Sequence, residues 1–180
     1  LELDAIFAGF GGQGVMLMGQ LIAYGGMHAG LNVSWFPSYG PEMRGGTANC
    51  SVVLSDGVVG SPVVARPQVL VAMNKPSLEK FEAKVKPGGF IFYNASLIDT
   101  KPTRTDVYVV PVHANEIAAE LGNDKVGNMV MLGAILATTE ILSVDDIMVS
   151  LKKILPERRH HLLPLNEQAI RRGMEVVTAM

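Results

Sequence analysis

Gly9-Phe10-Gly11-Gly12-Gln13-Gly14 is the first stretch whose residue types and spacing could do chemistry. It follows the apolar run Ala5-Ile6-Phe7-Ala8 and leads into Val15-Met16-Leu17-Met18, so it reads as strand, glycine turn and helix. Gly9, Gly11 and Gly14 fall on the G-x-G-x-x-G spacing, in which one glycine makes the turn, one lets a phosphate approach the backbone and one lets helix and strand pack closely. The chemistry on offer is anion binding by backbone N–H groups at a helix start. A tight turn whose glycines serve packing alone would look the same. A dinucleotide site also needs an acidic residue about 20 positions further on, to hold a ribose hydroxyl. None is present: Ala5 to Pro41 contains no Asp, Glu, Lys or Arg, which argues against NAD or FAD.

The second stretch is Ser38-Tyr39-Gly40-Pro41-Glu42-Met43-Arg44-Gly45-Gly46-Thr47. If Asn32 to Phe36 is the second strand, this loop falls at the carboxyl edge of the sheet beside the first turn, where ligands of open α/β sheets bind. Arg44 with Gly45 and Gly46 sets a planar five-donor cation beside an approachable backbone, a combination suited to carboxylate or phosphate. An arginine paired to Glu42 or to loop carbonyls is the plain alternative.

Other tempting residues read as structure. His160 and His161 are adjacent, so on a helix they point about 100° apart and do not converge. His28 and His113 have no evident partner in the sequence. Cys50 lies in a strand without a neighbouring cation to activate it, so it reads as core. One cysteine also excludes an intramolecular disulfide and an iron–sulfur cluster held by this chain alone.

These residues must be positioned by an α/β chain. The 180 residues suit one domain, 1–180. The composition is 48% hydrophobic and 18% charged, with a formal net charge of −2. That balance lacks the electrostatic footprint of a nucleic-acid binder or of attachment to an anionic membrane. It also leaves apolar surface for partner subunits, or for a homodimer of the isolated chain. The pattern predicts a helix from Gly14 to Ala29 buried all round and a strand from Thr47 to Leu54 that hairpins into Val58-Val59. It predicts a doubly buried strand over Val69 to Met73, a helix capped by Asn74, a strand over Phe90 to Tyr93, and a last strand from Asp106 to Val110 ending at Pro111. Helices follow over His113–Leu121, over Met129–Leu142 with Asn128 as cap, over Val144–Leu155 behind Ser143 and Asp146, and over Leu165–Val177. The apolar helix after Asn128 is about 14 residues long, short of the roughly 20 needed to span a bilayer, and no transmembrane segment is expected. The opening residues do not read as a secretory leader, and a cytoplasmic setting is expected.

Taken together, the Gly9-to-Val15 and Ser38-to-Thr47 motifs resemble the γ subunit of 2-oxoacid:ferredoxin oxidoreductases. The resemblance continues through Ser61-Pro62, Val69 to Met73, Asn74-Lys75-Pro76-Ser77 and Lys86-Pro87-Gly88-Gly89. The β subunit of indolepyruvate oxidoreductase is similar in the first motif only, and a free-standing anion- or nucleotide-binding module is the reading from outside the family. The resemblance implies a single Rossmann-like domain with a mostly parallel sheet, a small antiparallel β insertion and a helical C-terminal third. It implies an oxidoreductase complex that converts a 2-oxoacid and coenzyme A to acyl-CoA and CO2 with reduction of ferredoxin. 2-Oxoglutarate is the first expectation, branched-chain oxoacids the second and pyruvate the third. Thiamine diphosphate, Mg2+ and iron–sulfur clusters would sit on partners: thiamine-binding α and β subunits, and a ferredoxin-like subunit or ferredoxin. This chain would be non-catalytic, with Gly9, Gly11, Gly12, Gln13, Gly14, Tyr39, Arg44, Gly45 and Gly46 as binding residues toward coenzyme A, and without a metal ligand. The isolated chain, given 2-oxoacid and coenzyme A, is therefore expected to reduce viologen dyes no faster than buffer. Stopped-assay absorbance checks this, and substantial turnover by the partner-free protein would contradict it.

Overall fold

The computed structural model describes residues 1–38 and 47–180. Its strands are β1 (Glu2–Phe10), β2 (Asn32–Ser38), β3 (Thr47–Ser55), β4 (Val69–Ala72), β5 (Phe90–Asn94) and β6 (Tyr108–Val112). Its helices are α1 (Val15–His28), α2 (Lys75–Phe81), α3 (Ala114–Glu120), α4 (Gly127–Thr139), α5 (Val144–Ile154) and α6 (Leu163–Thr178), with 3-10 turns at Glu82–Lys84, Asp124–Val126 and Glu157–Leu162.

The strands form one sheet in the order β2-β3-β1-β4-β5-β6. β1, β4, β5 and β6 pair in parallel, while β3 runs antiparallel to both β1 and β2. The antiparallel element is thus a strand inserted between β1 and β2. The expected hairpin into Val58-Val59 does not form. Those residues carry no strand, and Val58 is 92% exposed. Alternation of Val52 and Leu54 identified the strand but could not say which neighbours take its two edges.

Period-2 alternation divides the core between the two faces of the sheet. Phe7, Cys50, Val52, Leu54, Val71, Phe92 and Val112 face α1, α4 and α6, while Ile6, Ala8, Leu70, Ala72, Ile91 and Tyr93 face Leu78, Phe81 and Val85 at α2 and the turn beyond it. The last strand is Tyr108–Val112 and contains Pro111. β6 is the sheet edge, so Pro111 is tolerated inside the strand instead of ending it.

At the amino edge, Asp4 locks three elements. Its Oδ1 accepts the Gln68 N–H at 2.5 Å and its Oδ2 accepts Lys86 Nζ at 2.6 Å. Arg104 closes the same end with a two-pronged pair to Asp106, at 2.8 and 2.6 Å, and donates to the carbonyls of Glu82 and Val85.

Helix boundaries follow their local chemistry. Asn74 caps α2 by accepting the Ser77 N–H at 2.9 Å. Ser143 and Asp146 form the expected reciprocal capping box at α5. Asn128, expected to cap α4, lies inside the helix instead. Asn123 caps the preceding 3-10 turn through the Lys125 N–H at 2.9 Å, and α4 runs on from it. That helix stops at Thr139, before the expected Leu142, with Glu140 in a left-handed conformation at φ 51°. α1 is not buried all round: Tyr24 is 44% and Met27 58% exposed.

α4 is buried from Gly127 to Leu136. Its deepest contact is with α6, where a Cβ on Gly133 would strike the Ile170 carbonyl and a Cβ on Gly173 would strike the Val130 carbonyl. Gly173→Ala should gain roughly 1 kcal/mol of helix propensity. The added methyl meets backbone that cannot rotate away, and overpacking costs about 1–3 kcal/mol or more. Net destabilisation is expected in denaturant melts, whereas Gly60→Ala, at an open site, should stay within about 0.5 kcal/mol of wild type.

Candidate functional site at the carboxyl edge

The turn Phe10–Gly14 closes with the Gln13 N–H donating to the Phe10 carbonyl at 3.2 Å. The Gln13 side chain is spent on the same task. Its Oε1 accepts the Phe10 N–H at 2.7 Å and its Nε2 donates to the Met73 carbonyl at 3.1 Å, tying the end of β1 to the end of β4. The amide is therefore a brace of the turn, with its oxygen and its nitrogen each already bonded to backbone.

The glycines do different work. A Cβ on Gly9 would meet Gln13 Oε1 at 2.6 Å and both Met73 Cβ and Val15 Cγ1 at 2.9 Å, so Gly9 permits the close approach of turn to strand. Gly12 and Gly14 have φ of 92° and 76°, a region side chains avoid. A Cβ on Gly14 would also overlap the Asn128 side chain. Gly11 meets nothing within 4 Å and has no positive φ, so neither crowding nor backbone strain requires a glycine there.

The start of α1 has no side-chain cap and no acidic residue in its first turn. Its leading N–H groups and positive dipole end remain open to an anion. Beside it, the flanks of the second motif return to the same edge, with Phe10 opposite Thr47 and Ser38 opposite Asn49. Tyr39, Arg44, Gly45 and Gly46 themselves lie outside the described residues.

Sequence reasoning read Asn74 as a cap and passed over its second role. Asn74 and Ser77 are 2% and 0% exposed at the end of β4, and Asn74 Nδ2 and Ser77 Oγ make no hydrogen bond among the described residues. They add an unsatisfied donor and a hydroxyl close to the Met73 carbonyl that Gln13 braces. The Asn-Lys-Pro-Ser run was the available signal.

The histidines each have a partner of their own. His28 Nδ1 is 2.8 Å from Asp146 Oδ1, a partner 118 residues away that no local pattern reveals. His113 lies 3.3 Å from Glu116, and His160 and His161 each meet a nearby backbone carbonyl. Burial pushes the Cys50 thiol up to about 12, against weaker opposing pulls from the Trp35 indole and the Gly19 backbone. Such a thiol is a core group and a poor nucleophile. Among the described residues no group of three His, Cys, Asp or Glu could hold a metal ion. Nor is any helix there long and apolar enough to cross a membrane. A cavity of about 610 Å3 beside Asp4, Arg66 and Lys86 is at the opposite edge of the sheet. Among the described residues, the turn at the carboxyl edge offers backbone N–H groups at the start of α1 that suit an anion.

Known proteins share this arrangement. A family model described as pyruvate ferredoxin/flavodoxin oxidoreductase matches residues 4–176. The ketoisovalerate oxidoreductase subunit VorA of Methanothermobacter marburgensis is 44% identical over 136 residues, covering 76% of this chain but only 28% of that protein's length. The solved gamma subunit of keto/oxoacid ferredoxin oxidoreductase from Geobacter sulfurreducens superposes with a TM-score of 0.85 at 27% identity, covering 99% of both chains. The 2-oxoglutarate:ferredoxin oxidoreductase of Magnetococcus marinus, solved with 2-oxoglutarate, coenzyme A and succinyl-CoA, gives 0.89 at 27% identity, covering 99% of this chain and 31% of that one.

Gly14→Ala should lower stability by about 1–3 kcal/mol, since it combines a left-handed backbone with a clash against Asn128. Gly11→Ala should leave the melting midpoint within about 0.5 kcal/mol of wild type. Paired denaturant melts check both. Equal losses would mean that the two glycines serve the turn alike.

Proposed function

Because the chain belongs to the pyruvate ferredoxin/flavodoxin oxidoreductase family, we propose that it works as the γ-type component of a multi-subunit 2-oxoacid:ferredoxin oxidoreductase. The observation that carries this reading is the family match across residues 4–176, joined to end-to-end likeness to a gamma subunit. All 180 residues act as one such domain, in the cytoplasm, docked on thiamine-binding α and β subunits that pass electrons to a ferredoxin-like subunit or ferredoxin.

Thiamine diphosphate, Mg2+ and the iron–sulfur clusters belong to those partners. The one cysteine of this chain is fully buried in the sheet, which does not suit a cluster ligand. Coenzyme A is the group this chain's residues fit. An uncapped helix start without acids suits a phosphorylated cosubstrate at the carboxyl edge. Gly9, Gly11, Gly12 and Gly14 would supply the backbone of that edge, Gln13 would hold its shape, and Tyr39, Arg44, Gly45 and Gly46 would supply its second side.

For the oxoacid, the 44% identity to a ketoisovalerate enzyme subunit, against 33% to 2-oxoglutarate synthase subunits, supports a branched-chain substrate first. The 2-oxoglutarate expected from the sequence motifs becomes the second reading and pyruvate the third. Affinity purification from the native host should bring down thiamine-binding subunits. The assembled complex should show its highest kcat/KM for coenzyme A-dependent dye reduction with 3-methyl-2-oxobutanoate, ahead of 2-oxoglutarate and pyruvate. A chain that purifies alone would overturn the γ-type role, and a preference for 2-oxoglutarate would reverse the substrate order.

A further inference from the structure

Beside the glycine turn, the first turn of α4, the flank of α1 and the chain on either side of α6's start enclose a cavity of about 130 Å3. One part of its wall is aliphatic, from Leu17, Leu151 and Leu165, and the other carries Asn128, Lys125 and Arg159. Asn128 is 6% exposed. Its Oδ1 accepts the Met129 N–H at 3.0 Å, but its Nδ2 donates no hydrogen bond to the described protein. That amide group can donate to a ligand acceptor in the cavity.

The charged side chains that line the cavity have one sign. Lys125 and Arg159 are exposed and enter no ion pair among the described residues, and no described Asp or Glu lines the cavity. Helix α1 begins here without a side-chain cap and without an acid in its first turn, so its positive dipole end adds to the field. The cavity therefore selects an anion. Its leucine wall selects the kind. A phosphate presents oxygens in every direction, and those turned to the leucines would lose their hydration without a replacement. A group charged at one end and aliphatic at the other meets both walls.

We propose that this cavity is a binding site for a small aliphatic monocarboxylate, its carboxylate held by Asn128 Nδ2 and the Lys125 and Arg159 side chains and its body against Leu17, Leu151 and Leu165. The site is separate from any oxoacid turnover on partner subunits. Calorimetric titration of the isolated chain with sodium 2-methylpropanoate tests it, with 2-methylpropanamide and inorganic phosphate as comparison probes at matched ionic strength. The carboxylate should bind saturably at one site, while the amide and phosphate should not. The K125Q/R159Q double variant, altered only at exposed positions, should melt as wild type and bind the carboxylate about five- to tenfold more weakly. N128L should abolish the heat of binding if it folds. Absence of saturable carboxylate binding overturns the proposal, as does an unchanged affinity in the double variant or equal binding of phosphate. The titration reads neither subunit assembly nor oxoacid oxidation, so its failure leaves the γ-type role untouched.

Discussion

Where α4 crosses α6, two backbones meet without side chains between them, and much of the molecule is placed by that contact. Gly133 lies against the Ile170 carbonyl and Gly173 against the Val130 carbonyl. Small residues at such a crossing let helix axes come close enough that one helix covers the other with its own backbone. α4 can then be buried from Gly127 to Leu136 without needing a neighbour on every side. Its position fixes Asn128, and Asn128 occupies the space that a side chain at Gly14 would need. The geometry of the glycine turn thus depends on a contact at the far side of the C-terminal helices.

Much of the fold was legible because its signals are local. The continuous apolar run Val69 to Met73, the Asn74 cap and the Ser143–Asp146 box all specify their elements within a few residues, and each is found in place. Failures came where the deciding partner is distant. β3 alternates as a strand should, but its insertion between β1 and β2 is a matter of edge pairing, which alternation does not encode. Pro111 looked like a terminator because nothing in the sequence marks β6 as an edge. Asn128 looked like a cap because the 3-10 turn that Asn123 starts cannot be told from loop by composition.

At the candidate site, the place of the turn is a local matter and the part each residue plays in it is not. Spacing placed the glycine turn at the strand–helix junction, but it treated Gly11 as equivalent to Gly14. Only the left-handed φ of Gly14 and the body of Asn128 distinguish them. Gln13 has the look of a ligand-binding amide, yet its carbonyl and its amino group are both taken up by backbone of two different strands. Asn74 and Ser77 were hidden by the opposite error. A residue that explains itself as a cap invites no further question, although only the oxygen of Asn74 does the capping.

The insertion of β3 also has a meaning in time. β1 and β2 run in the same direction but never touch, since residues 47–55 lie between them with both edges occupied. As the chain leaves the ribosome, the first strand–helix–strand unit therefore emerges as an incomplete sheet, with a gap one strand wide. Neither strand has its neighbour until β3 arrives, and the other edge of β1 waits longer still, for Val69 to Ala72. The bond from Gln13 to the Met73 carbonyl, which ties the glycine turn to β4, cannot form before then. The part of the molecule that comes first in sequence is in this sense among the last to gain all its neighbours, and a nascent chain stopped short of residue 73 would carry the turn without its tie to the sheet.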